Sequence, residues 1–184
     1  MLRPLLMAAA LGLAACTTAA APAAGIADTS HKEADGSRTI QFAAALCAPP
    51  ADVYRAIATA EGWKRWAAPV AFGEVKLNGV LETSYSKDAR PGDAGNIKQL
   101  FTALEPDRLV VFRTIQTPEG FPHGEFYKQT VAKMELTPEA SGTRLRFTHS
   151  GFGFGKEFDE LYAFFIEGDK QTLDELQKLF SAPH

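Results

Sequence analysis

His149 is the residue of this 184-residue chain whose type and position best fit chemistry at a site. In the segment Leu145-Arg-Phe147-Thr-His149, strand alternation puts His149 on one face with Leu145 and Phe147, which predicts that it points inward. A lone histidine on an apolar face is commonly a structural residue with satisfied hydrogen bonds. It can equally hydrogen-bond the polar end of a ligand, or serve as a general acid or base. The sequence assigns it no carboxylate partner.

Other reactive side chains are scattered. The four histidines His31, His123, His149 and His184 show no metal-ligand spacing. Cys47 lies at a strand end without a neighbouring basic residue and is interpreted as structural. The chain contains no G-x-S-x-G elbow, and its glycines 151, 153 and 155 lack the G-x-G-x-x-G spacing of a phosphate loop. The sequence therefore predicts no metal, no cofactor and no clear catalytic constellation.

Aromatic side chains are dense toward the C-terminal half of the chain. They form either a packed core or the wall of a cavity for an apolar or aromatic small molecule, and the residues do not decide between the two. The candidates for such a wall, with His149, are Tyr85, Phe101, Phe112, Tyr127, Phe154, Phe158, Tyr162 and Phe165. The glycines at 151, 153 and 155 would let the chain turn sharply beside it.

The N-terminus carries the pattern of an export signal. Arg3 supplies a positive charge, residues 5–13 form a short apolar run, and Leu13-Ala-Ala-Cys16 resembles the bacterial lipobox. The apolar run is well short of the ~20 residues that span a bilayer. We therefore expect a lipoprotein signal peptide at residues 1–15 and an acylated Cys16 that anchors the protein to a membrane.

Residues 16–36 are rich in Ala, with scattered small and polar residues and no hydrophobic periodicity, which predicts a flexible tether. The expected location is the cell envelope, facing the periplasm. Thr17, rather than Asp, follows the cysteine, and by resemblance to enterobacterial sorting this favours the outer membrane. The net charge of −3 argues against nucleic acid as a partner, because phosphate binding requires a clustered basic surface.

Residues 37–181 show the pattern of one α+β domain. A strand alternates from Arg38 to Leu46, Pro50 opens a short helix, and Trp63 to Trp66 form a second helical turn. About six antiparallel strands are expected next, at residues 72–77, 80–85, 97–105, 108–116, 126–137 and 143–150, with Asn78-Gly79 and Pro106-Asp107 as turns. A long amphipathic helix is predicted from Lys156 to Phe180.

Four segments in this order resemble the START-like (SRPBCC, helix-grip) superfamily, most closely the branch named after activators of the heat-shock protein 90 ATPase. They are residues 48–57 (APPADVYRAI), 61–66 (EGWKRW), 104–109 (LEPDRL) and 142–152 (GTRLRFTHSGF). The resemblance implies a long C-terminal helix packed across a curved sheet, often with a cavity between them. It implies function poorly, since this fold hosts carriers, receptors, cyclases and co-chaperone domains.

Three hypotheses about function follow. The first is a membrane-anchored domain that binds a hydrophobic small molecule or lipid, acting as a monomer. The second is a cyclase-like or hydro-lyase-like enzyme that uses His149 or Tyr127 as acid or base. The third is a protein-interaction domain like the co-chaperone activators, which an exported location would separate from a cytosolic ATPase.

Overall fold

The computed structural model describes residues 25–181, so the predicted signal peptide and Cys16 lie outside the described residues. The helices are α1 (Pro50–Ile57), α2 (Ala60–Trp63), α3 (Gly124–Tyr127) and α4 (Lys156–Leu179). The strands are β1 (Ala27–Asp28), β2 (His31–Lys32), β3 (Arg38–Leu46), β4 (Val70–Gly73), β5 (Val80–Ser84), β6 (Ile97–Glu105), β7 (Leu109–Gln116), β8 (Val131–Glu139) and β9 (Gly142–Phe152).

All strands join one nine-stranded sheet in the order β1-β3-β9-β8-β7-β6-β5-β4, with β2 also paired to β3. Every pairing is antiparallel. The buried face of the sheet carries the apolar half of each alternating strand, and α4 packs across it through Phe158, Leu161, Phe165, Leu173 and Leu176. This is the helix-grip arrangement that the sequence predicts.

Two short helices close one side of the core. Pro50 occupies the first turn of α1, where its missing N–H leaves no hydrogen bond unmade. The Thr59 side chain caps α2 by accepting a hydrogen bond from the Gly62 backbone N–H at 3.0 Å. A Cβ at Gly62 would lie 2.2 Å from the Ala56 carbonyl oxygen, so only glycine allows α2 to pack this closely on α1.

The predicted tether needs correction at its C-terminal end. Residues 27–28 and 31–32 pair with β3, and Ile26 packs against the core, so this segment belongs to the sheet. The pairing uses backbone hydrogen bonds, so the side-chain pattern of these residues does not reveal it. The ordered domain therefore begins before residue 37.

The predicted strand at residues 126–137 is also corrected. Residues 124–127 form α3, and β8 begins only at Val131. Phe126 packs edge-on against Phe158 of α4, with ring centroids 5.1 Å apart, and Tyr127 packs against Phe165 at 4.4 Å. These contacts with α4 hold the segment above the sheet and override its local strand pattern. Residues 74–79 likewise form a connection between β4 and β5 in place of the strand expected at 72–77.

Candidate functional site

A cavity of about 200 Å³ lies between the sheet and the middle of α4. Its wall is mostly apolar and is built from four parts of the chain. Trp63 and Trp66 come from α2 and the turn after it, Ile97 and Phe112 from the sheet, Phe121 and Tyr127 from α3 and the loop before it, and Phe165 and Leu173 from α4. An aromatic wall around a void of this size suits a small apolar molecule.

Five of the nine candidate wall residues line this cavity: Tyr85, Phe112, Tyr127, His149 and Phe165. Tyr85 lies at the mouth with 70% of its surface exposed, while His149 is only 3% exposed. Strand alternation thus places His149 on the inner face, as the sequence predicts. The structure brings these five together because β5, β7, β9 and α3 all face the same stretch of α4.

The other four candidates do not line the cavity. Phe101 is fully buried behind Trp63 and Phe112, with ring centroids 6.2 and 5.5 Å away. Phe158 and Tyr162 lie in the first turns of α4, which pack directly on Phe126 and Phe152 and leave no space beneath them. Phe154 is 72% exposed, because it follows the end of β9 and points away from the core.

His149 has a protein partner at each ring nitrogen. Nδ1 lies 2.8 Å from Oδ2 of Asp169 on α4, and Nε2 lies 2.8 Å from Oγ1 of Thr130. Thr130 Oγ1 also lies 2.8 Å from the Tyr127 carbonyl oxygen. Its one hydroxyl proton therefore has two acceptors within reach, that oxygen and His149 Nε2. The imidazole is therefore held in a fixed orientation that joins β9 to α4. Aromatic rings of Phe152 and Phe165 pack edge-on against it at 4.7 and 5.0 Å.

Asp169 is a cavity residue that the sequence analysis missed. Its side chain lines the cavity and is 16% exposed, and Oδ2 is engaged by His149. A signal for it exists in the sequence. Asp169 lies four residues after Phe165 and four before Leu173, which puts a carboxylate in the middle of the buried apolar stripe of α4.

Gln99 and Thr83 are two further polar wall residues that were missed. Both are buried on the inner face of the sheet, and Gln99 Nε2 donates a hydrogen bond to Thr83 Oγ1 at 3.4 Å. Gln99 occupies an inward position of β6, on the same face as Phe101. A polar residue at an inward position of an alternating strand is the signal that identifies it.

Tyr127 contributes a hydroxyl that stays protonated. Burial raises the pKa of this phenol far above its ordinary value, and the side chain of Thr114 lowers it by hydrogen bonding. The negative charge of Asp169 raises the same pKa further. The Tyr127 hydroxyl, which interacts with the Thr114 side chain, therefore keeps its proton at physiological pH.

Metal-ligating side chains do not cluster around the cavity. Within residues 25–181, no group of three or more His, Cys, Asp or Glu side chains is close enough to hold a metal ion. No helix in the same part of the chain is long and apolar enough to cross a membrane. Arg113, Arg144 and Arg146 face solvent on the outer side of the sheet and do not reach the site.

A known protein family matches most of the chain. Residues 47–181 match the family described as activator of Hsp90 ATPase homolog 1-like protein. No sequence among the curated proteins matches the chain.

Three solved structures with similar folds are distant from this chain in sequence. A protein of Mesorhizobium loti superposes with a TM-score of 0.61 at 20% identity, covering 77% of this chain and 96% of its own. The Aha1 dimer from Colwellia psychrerythraea gives 0.60 at 21% identity, covering 77% and 95%. CalU16 from Micromonospora echinospora gives 0.61 at 19% identity, covering 85% and 87%. At these identities the likeness concerns the fold alone.

Proposed function

The chain belongs to the family of activator of Hsp90 ATPase homolog 1-like proteins, within the SRPBCC superfamily, and we propose that its domain binds a small apolar or aromatic molecule in the cavity between the sheet and α4. The observation that carries the proposal is the cavity itself. It has a volume of about 200 Å³, and rings from four parts of the chain surround it. An engineered protein cavity of about 150 Å³ accommodates benzene, so a void of this size suits a molecule with one ring.

Gly168 supports the proposal because it lines the cavity without a side chain. It lies inside α4, where glycine costs roughly 1 kcal/mol of stability relative to alanine. Gly168 lines the cavity, and a Cβ built on it would have no atom within 4 Å. Packing therefore does not require glycine here. The open space at this position is part of the cavity, which a large side chain on the helix would fill.

Gly168→Leu is expected to abolish binding of single-ring compounds without unfolding the protein. The leucine side chain would extend into the cavity, and the substitution also improves helix propensity. Binding of toluene is measured through tryptophan emission, since both tryptophans of the chain, Trp63 and Trp66, line the cavity.

Gly168→Ala is the matched control. It should raise the free energy of unfolding by up to about 1 kcal/mol and retain toluene binding, because a methyl group fills little of the cavity. Equal toluene affinity in Gly168→Leu and the unaltered protein would contradict the proposed site. Absence of any emission change with toluene or phenol in the unaltered protein would contradict the proposed function.

Acid–base catalysis at His149 or Tyr127 is less well supported than binding. Both nitrogens of His149 are hydrogen-bonded to protein groups, so a molecule in the cavity meets no unpaired imidazole nitrogen. Tyr127 has a strongly raised pKa and stays in its acid form. The two residues are better suited to shaping and orienting than to proton transfer.

We further propose that the domain is held at the cell envelope by an acylated Cys16, facing the periplasm. The lipobox-like Leu13-Ala-Ala-Cys16 supports this, and only about ten residues separate Cys16 from the first paired strand at Ala27. The cavity would then lie close to the membrane, where apolar molecules partition.

Cys16→Ser is expected to move the protein from the membrane fraction to the soluble fraction of its host. Hydroxyl oxygen cannot replace the thiol that receives the acyl chain, and anchoring depends on those chains. The readout is immunoblotting of fractionated cells, with Cys47→Ser as the control that should remain with the membrane. Equal membrane retention of both variants would exclude this anchor.

A further inference from the structure

The carboxamide of Gln99 is a polar group placed inside the apolar cavity. The residue is 5% exposed and lines the cavity on β6. Its Nε2 donates to Thr83 Oγ1 at 3.4 Å, which sets the orientation of the amide. Its Oε1 is buried without a hydrogen-bond partner among residues 25–181.

Its place in the cavity distinguishes Gln99 Oε1 from other buried polar atoms without a hydrogen bond. Arg38, Asn96 and Glu135 also carry such an atom in the described part of the chain, but those of Arg38 and Glu135 lie in ion pairs, and none of the three residues lines the cavity. A buried carbonyl oxygen is normally paired, and an unpaired one is a site where a ligand's hydrogen-bond donor gains most. A purely apolar ligand would shield Oε1 from water and leave it without a donor.

The second acceptor of the cavity is the carboxylate of Asp169. Oδ2 accepts from His149, and Oδ1 has no hydrogen bond within the described part of the chain. The negative charge disfavours anionic ligands and favours donors. Gln99 on β6 and Asp169 on α4 therefore both offer an acceptor to a hydrogen-bond donor of the ligand.

Resting on the proposed function, we propose that the cavity selects an uncharged single-ring molecule bearing a hydroxyl or N–H group, which donates to Gln99 Oε1 while the ring packs among the aromatic side chains. Phenols and aryl alcohols belong to this class. Aryl carboxylates do not, because of Asp169. Aprotic rings such as toluene fit by shape but leave the carboxamide unpaired.

The test compares phenol, toluene and benzaldehyde as probes of the full chain, in the unaltered protein and in Gln99→Leu. The tryptophan emission is corrected for the light that each probe absorbs. Leucine has about the volume of glutamine, and it lacks both the carbonyl oxygen and the NH₂ group of the carboxamide. We expect the ratio of toluene Kd to phenol Kd to fall at least tenfold in Gln99→Leu, with phenol binding weaker and toluene binding tighter.

Met134→Leu is the matched control, because Met134 lines the same cavity and the exchange conserves volume without a polar change. It should leave the Kd ratio unchanged. A ratio that is equal in Gln99→Leu and the unaltered protein overturns the inference while toluene binding upholds the proposed function. If Gln99→Leu loses benzaldehyde binding alone, the inference is also overturned, because the Gln99 amide would then act as a hydrogen-bond donor to the ligand. If no probe binds, both proposals fail.

Discussion

Leu161→Ala is expected to lower the free energy of unfolding by about 2–5 kcal/mol. Leu161 is 2% exposed on the face of α4 that packs on the sheet, with Phe158 and Phe165 one turn away on either side. Truncation removes buried methyl groups and leaves a void that the rigid sheet beneath cannot fill. Urea unfolding followed by far-UV circular dichroism measures the loss.

Leu77→Ala is the control for this experiment. Leu77 is 60% exposed in the connection between β4 and β5, so the same exchange should change stability by no more than about 0.5 kcal/mol. A loss in Leu161→Ala as small as that of Leu77→Ala would mean that α4 contributes little to the fold. Such a result would contradict the packing of α4 across the sheet.

The sheet could be predicted from sequence because its strands alternate. The inward residues of β3, β6, β7 and β9 recur at every second position, and the helix stripe recurs at three and four. The structure departs from the predicted elements where backbone pairing, or a contact with a distant part of the chain, determines the local conformation. β1 and β2 have two residues each, too few for a period, and α3 is fixed by rings on α4.

The end of β9 shows how closely such a prediction depends on register. Arg38 pairs with Phe152 and Ile40 with His149, so β9 has one extra residue between His149 and Phe152. The bulge comes directly after His149, which keeps that residue inward, and it also turns Phe152 inward against simple alternation. Gly151 adopts φ +94 at this bulge, a conformation that glycine permits.

The polar part of the site was harder to predict than its rings. Aromatic residues identify a core or a cavity by composition, but composition does not say which rings face a void. Phe101 and Phe112 are both buried, yet only Phe112 lines the cavity. Asp169 and Gln99 were recognisable as polar residues at inward positions. Their partners, which come from distant parts of the chain, required the tertiary structure.

The second large effect is expected when the contact between β9 and α4 is broken. Asp169→Ala should lower the free energy of unfolding by about 2 kcal/mol, because it leaves the buried Nδ1 of His149 without its partner 2.8 Å away. Glu167→Ala, an exposed acidic residue on the same helix, is the control and should be within about 0.5 kcal/mol of the unaltered protein.

A double-mutant cycle of Asp169→Ala and His149→Phe measures the interaction between these two side chains separately from their other contacts. Phenylalanine preserves the ring contacts with Phe152 and Phe165 and removes the nitrogen that needs Asp169. If the pair is a unit, the double variant should lose less stability than the sum of the single variants, by roughly 1 kcal/mol or more. The same four proteins are titrated with phenol.

The combination of the two measurements assigns the role of Asp169. Coupling in stability means that the pair holds α4 over the cavity, because His149 is the only residue of the described chain that forms an ion pair or hydrogen bond with the Asp169 side chain. Additive stability losses, with phenol affinity reduced in Asp169→Ala alone, would mean that the carboxylate serves the ligand and that the contact with His149 merely orients it. Additive losses with unchanged affinity would contradict both roles.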